Sequence, residues 1–79
     1  MLGDRGMRAA EPREVAIDGD MIRLGQLLKL SGLAESGGEA RELVQEGVVR
    51  VNGEIETRRG RQLHRGDLVV VHGETVRVA

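Results

Sequence analysis

Val48-Val-Arg-Val-Asn-Gly-Glu-Ile-Glu-Thr-Arg-Arg-Gly-Arg61 joins a hairpin signal to three arginines within four positions. Asn52-Gly53 between β-branched runs marks a tight turn, because both residues tolerate positive φ. Two registers fit it. A strict two-residue turn sets Val51 opposite Glu54 and Arg50 opposite Ile55, which mixes apolar and charged residues on both faces. A three-residue loop with Gly53 as a left-handed bulge sets Val49 opposite Ile55, keeping one face apolar and the other polar. The second register is therefore expected, with Val49 and Ile55 facing the core and Arg50, Glu54 and Glu56 facing solvent. The hairpin then aims Arg58, Arg59 and Arg61 off its far end, where guanidinium groups can pair bidentately with phosphate and stack on bases. This is the pattern of an RNA-binding edge; the competing reading is a solvated arginine turn.

The 79 residues make one domain, near the size at which a single core yields only roughly 3–5 kcal/mol of net stability. An elaborate internal active site would be out of scale. The 39% apolar content is aliphatic, with no Phe, Tyr or Trp. Stacking of bases on aromatic platforms is thereby excluded, and nucleic-acid recognition has to use arginine, backbone amides and shape. No cysteine is present, which removes disulfides, thiolate metal sites and cysteine nucleophiles. No apolar run approaches the ~18 residues of a membrane span, and a cytoplasmic location is the expectation. The net charge of −1 is uneven: residues 1–20 carry three basic and five acidic groups, residues 21–79 nine and eight. Basic character is local, so affinity for a polyanion should depend strongly on salt.

Working outward, residues 1–14 mix Gly, charge and the only proline and read as a flexible tail, leaving 15–79 as a single domain. Val15-Ala-Ile17 has the character of a short strand. From Ile22 the spacing turns helical: Leu24, Leu27 and Leu28 share one stripe, flanked by Leu30, and Gly32 stops the helix. A second helix is announced by Ser36-Gly37-Gly38-Glu39, the Ser-x-x-Glu spacing of a capping box. Its buried stripe is Ala40, Leu43 and Val44, it ends at Gly47, and Arg41 and Gln45 face outward. Gly37 and Gly38 let a ligand's backbone approach the free N–H groups, so a phosphate could sit there; an ordinary capped helix is the alternative. Leu68-Val-Val-Val71 reads as a well-buried strand and Val76-Arg-Val78 as an edge or half-buried one.

This order of elements resembles the RNA-binding domain named after small-subunit ribosomal protein number four, the α-L motif. The resemblance runs through residues 22–33, 35–40, 46–53 and Gly66-Asp67. More narrowly, Leu27-Leu-Lys-Leu30, Glu35-Ser-Gly37 and Glu56-Thr-Arg-Arg59 are similar to the small stand-alone bacterial YbcJ-like family. It implies an α+β fold in which two short N-terminal helices pack on a small, mostly antiparallel sheet. It also implies that the helix pair and hairpin form an L-shaped surface for structured ribosomal or transfer RNA, with Arg23, Arg41, Arg50, Arg58, Arg59 and Arg61 at its basic positions. Ser36, Gly37 and Gly38 at the second helix start, with Thr57 and Gly60 in the arginine segment, complete the candidate RNA-binding set. Gly37 stands where many members of the broad family place an arginine, which shifts the burden to backbone N–H groups and to the 58–61 segment.

A monomeric, non-catalytic RNA-binding protein is thus expected, without cofactor or metal, with a ribosomal or RNA-modification protein as a further candidate partner. The alternative is an adaptor whose 58–61 segment docks on an acidic partner and whose Val76-Arg-Val78 strand offers an open edge. An enzyme is disfavoured. His64 and His72 sit beside turn glycines without metal-ligand spacing, and Asp67 is placed to bond nearby turn N–H groups.

Overall fold

Spacing of Leu24, Leu27 and Leu28 does build a helix. In the computed structural model, which describes residues 12–79, α1 spans Leu24–Leu30 and buries all three of these side chains completely. The second helix, α2, spans Gly37–Gln45 and buries Ala40 and Val44 against the same core. The Oγ of Ser36 caps α2 by accepting the N–H of Glu39 at 3.1 Å. The reciprocal half of the expected capping box is displaced by one residue, because the carboxylate of Glu39 accepts the N–H of Glu35 instead of that of Ser36.

Among the described residues seven strands accompany the helices: β1 Arg13–Val15, β2 Ile22–Arg23, β3 Val49–Val51, β4 Glu54–Ile55, β5 Gln62–Leu63, β6 Leu68–Val71 and β7 Glu74–Val78. Five form a sheet in the order β1-β7-β6-β3-β4, antiparallel except for the parallel β1–β7 pair, while β2 and β5 form a separate two-stranded pair. The fold is thus α+β with a mostly antiparallel sheet. Alternation in β3 and β6 turns Val49, Val51, Val69 and Val71 inward, where they meet Leu24, Leu27, Leu28, Ala40 and Val44 in a two-layer core.

Three expectations change at this point. The helices are not N-terminal, since β1 and β2 precede them, and β1 starts at Arg13, within the stretch read as tail. The rest of that stretch, residues 1–11, lies outside the described residues. Secondly, of the two readings of β7 the half-buried one holds and the open edge does not: Val76 is fully buried between β1 and β6, and hydrogen bonds from Ile17 to Ala79 and from Ala79 to Val15 extend the pairing with the N-terminal segment. A parallel partner so distant in sequence leaves no local signal in the strand it covers.

The third change is the hairpin register. Arg50 pairs with Ile55 and Val51 with Glu54, the strict two-residue turn, with φ of 51° at Asn52 and 89° at Gly53. Both central residues positive is the turn whose twist matches that of the strands, and this local preference outweighs the cleaner apolar face of the bulged alternative. Arg50 is exposed as expected, but Ile55 is 52% exposed and Glu56 is the buried residue, lying inward beside Val49. The side chain of Asn52 also secures the turn: its amide donates to Asp67 at 3.1 Å and its Oδ1 accepts the N–H of Leu68 at 3.0 Å. Asp67 accepts the N–H of His64 at 2.8 Å, so its carboxylate organises the turn before β6. Burial opposes its ionisation, but these hydrogen bonds outweigh it and hold its pKa below the ordinary value.

Candidate nucleic-acid interface

Residues 57–61 leave β4 and run across the start of α1. Three bonds stitch them there: the N–H of Leu24 donates to the carbonyl of Arg61 (2.8 Å), that of Gly25 to Arg59 (2.9 Å), and the Nη1 of Arg23 to Gly60 (3.3 Å). The segment's other anchor is Glu56. Its carboxylate, 6% exposed as a residue, accepts the backbone N–H groups of Thr57 and Arg58 at 3.0 Å each. It also accepts the Nε of Arg58 at 3.1 Å and the Nη1 of Arg61 at 2.8 Å. Charge-assisted bonds from Arg58 and Arg61 overcome the burial penalty and lower the pKa of Glu56 from an ordinary 4.5 to about 2. The same pairing raises the pKa of Arg58. An inward carboxylate is tolerated in the hairpin because its oxygens are filled with donors.

This anchoring divides the arginines. Arg58 and Arg61 are committed to Glu56. Among the described residues the guanidinium of Arg59 has no hydrogen-bond or ion-pair partner, and its side chain flanks a groove of about 280 Å³ between the segment and the two helices. Arg23, Lys29 and Arg59 give the groove three cations. Its remaining lining, Gly25, Gln26, Gly37, Ala40 and Gly60, is small or neutral, without a carboxylate. At one end lies the start of α2, where an added Cβ on Gly37 would meet nothing within 4 Å. The first N–H groups of a helix have no partner within it and favour negative charge, so three cations and a helix start point at one space.

Of the residues singled out from sequence, the structure brings Arg23, Gly37, Arg59 and Gly60 together here. Arg41 is exposed one turn beyond Gly37 on the same face of α2, where it extends the basic surface without lining the groove. Ser36 serves as the cap. Gly38 lies on the other flank with Glu35, Glu39 and Glu42, an acidic setting that does not suit a phosphate. Arg50 stands on the solvent side of the sheet and bonds the carbonyl of Gly53 at 3.4 Å, and Thr57 is exposed with its N–H on Glu56. Arg58 and Arg61 border a separate depression with Gln62 and His64. Sequence reasoning missed Gln26 and Lys29, although both fall on the polar side of the Leu24/Leu27/Leu28 stripe. It also missed Glu56, which the bulged register had turned to solvent.

The comparisons with known proteins agree with this architecture. The S4 domain family matches residues 15–79. A Bacillus subtilis protein named "Probable ribosome maturation protein RlbA" is 48% identical over 59 residues, 75% of this chain and 83% of that one. An Escherichia coli protein named "Putative RNA-binding protein YbcJ" is 40% identical over 57 residues, 72% of this chain and 81% of its own. Among solved structures, the 30S ribosomal protein S4e of Thermoplasma acidophilum superposes with a TM-score of 0.59 at 22% identity. It covers 76% of this chain but only 32% of its own, a likeness of fold alone. By the extent of the family match and the identity to these two small relatives, the chain belongs to the S4 domain family.

Proposed function

We propose that this protein is a non-catalytic RNA-binding protein that grips the phosphate backbone of structured ribosomal or transfer RNA through the groove between α1, α2 and residues 57–61. The observation that carries this reading is the convergence of Arg23, Lys29 and Arg59 on a carboxylate-free groove at the start of α2. In a chain of net charge −1, that concentration of cations supplies the local field a polyanion needs. Without aromatic side chains the contacts are to phosphate and to shape, which suits folded RNA better than an extended single strand. The names of the two relatives, one for ribosome maturation and one for RNA binding, favour a ribosomal RNA or its precursor as the partner. The adaptor reading loses one of its two supports, because the Val76–Val78 edge is covered by β1, and the other, docking of residues 58–61 on an acidic partner, is weakened by the pairing of Arg58 and Arg61 with Glu56.

The division of the arginines gives the test. Titrating a folded ribosomal RNA fragment at low salt, Arg59→Ala is expected to weaken binding about tenfold, the loss of one charge-assisted contact worth ~1.4 kcal/mol. Arg58→Ala should weaken it less, because that guanidinium is spent on Glu56. Equal affinities for Arg59→Ala and wild type would contradict the proposed grip.

A further inference from the structure

A second depression borders the opposite flank of α1. Ile17, Met21, Ile22 and Leu30 give it apolar walls, and its volume is about 490 Å³. Leu30, a large aliphatic side chain, is 56% exposed here. Gln26 and Lys29 line this depression and the basic groove alike, so they form the ridge between the two. Asp18, an exposed carboxylate, also lines it.

The occupant has to be apolar on its faces, polar at its edge, and connected to something that belongs in the basic groove. A phosphate is disfavoured there, because Asp18 repels it and the donors of Gln26 and Lys29 sit on the ridge shared with the basic groove, leaving only aliphatic side chains around the rest of the wall. A nucleobase does fit. Its faces can rest on Leu30 and Met21, and an exocyclic amine can donate to Asp18. Gln26 can supply an amide donor to a ring nitrogen, since its Oε1 is already occupied by the N–H of Arg23 at 3.3 Å. We infer that this depression receives one unpaired, amine-bearing base of the RNA whose phosphate lies across the Gln26–Lys29 ridge. The inference rests on the RNA-binding reading and adds to it a preference for RNA with an extruded nucleotide. It also supplies apolar contact to a base in a chain that has no aromatic residue to stack against it.

The test uses the full chain and three hairpin RNAs that differ at one position: a bulged adenosine, an abasic nucleotide in its place, or no bulge. Wild type is expected to bind the bulged adenosine about fivefold tighter than the abasic RNA, a factor that ~1 kcal/mol of buried apolar surface provides. Leu30→Ala and Leu30→Ser, at an exposed position, should abolish that preference while leaving affinity for the unbulged hairpin unchanged. Arg59→Ala should weaken all three complexes and retain the preference. Equal binding of adenosine and abasic RNAs by wild type would overturn the inference and leave the depression to an apolar protein side chain. Persistence of the preference in both Leu30 variants would overturn it too. No binding to any of the three RNAs would overturn the RNA-binding reading and the inference together.

Discussion

Glu56→Gln is expected to lower the unfolding free energy by about 2 kcal/mol at neutral pH and, against the direction of charge, to weaken RNA binding several-fold. The neutral amide keeps the shape but gives up two ion pairs, and its NH₂ end cannot accept from the donors that the second carboxylate oxygen serves. The cost stays below that of a fully buried pair because Arg58 is 72% exposed in its side chain and can turn to water. For RNA, loss of one negative charge would by itself tighten binding. The looser 57–61 segment no longer holds Arg59 and Gly60 against α1, and that misplacement should dominate. The stability effect also has a pH signature. The folded-state pKa of Glu56 is about 2 against an ordinary 4.5, so the folded protein binds fewer protons than the unfolded chain between those values. Its contribution is complete above the ordinary value and is lost as pH falls towards 2. Urea denaturation at pH 7 and pH 3 should show the gap between wild type and Glu56→Gln shrinking at the lower pH; a constant gap would mean that the carboxylate is not the anchor.

Replacing Arg23, Lys29 and Arg59 together by alanine is expected to produce the largest loss of RNA affinity, about 1,000-fold at low salt if each contact contributes ~1.4 kcal/mol. All three side chains are exposed, so Lys29→Ala and Arg59→Ala should each change stability by no more than about 0.5 kcal/mol, and Arg23→Ala adds to this only the loss of its solvent-exposed bond to the Gly60 carbonyl. If each cation releases ~0.7–0.9 counterion, the slope of log affinity against log salt should become shallower by about 2. Arg50→Ala, on the solvent side of the sheet, is the matched control and should change neither quantity appreciably. A triple variant with the wild-type slope would place the phosphate contacts elsewhere.

Much of this molecule is legible from local rules. The leucine stripe of α1, the Ser36 cap, the buried run at Leu68–Val71 and the Asn52-Gly53 turn all depend on residues a few positions apart, and the structure realises each of them. What was misread depends on contacts that an alternating pattern does not reveal. Val76 and Val78 alternate as an edge strand would, and only β1, some sixty residues earlier in the chain, makes β7 internal. Glu56 looks like a solvent residue until Arg58 and Arg61 fold back on it, at which point the two-residue register costs no unpaired charge. The arginine cluster is visible in the sequence as a group, but its division between Glu56 and the groove is not. Spacing alone cannot distinguish the arginines held by a buried carboxylate from the one facing a groove, and Lys29 joins that groove only once α1 is set beside Gly60.

The central claim is the location of the RNA grip, and backbone amide chemical shifts during titration with a folded ribosomal RNA fragment test it most directly. Gly25, Gly37 and Gly60, all lining the groove, report on its three sides. The expected result is that these amides, with those of Gln26 and Lys29, shift most and saturate together, while Gly38 and Glu42 on the acidic flank of α2 and Ile55 at the β4 edge shift least. Saturating shifts at Gly38, Glu42 or Ile55 with Gly25, Gly37 and Gly60 unmoved would contradict it.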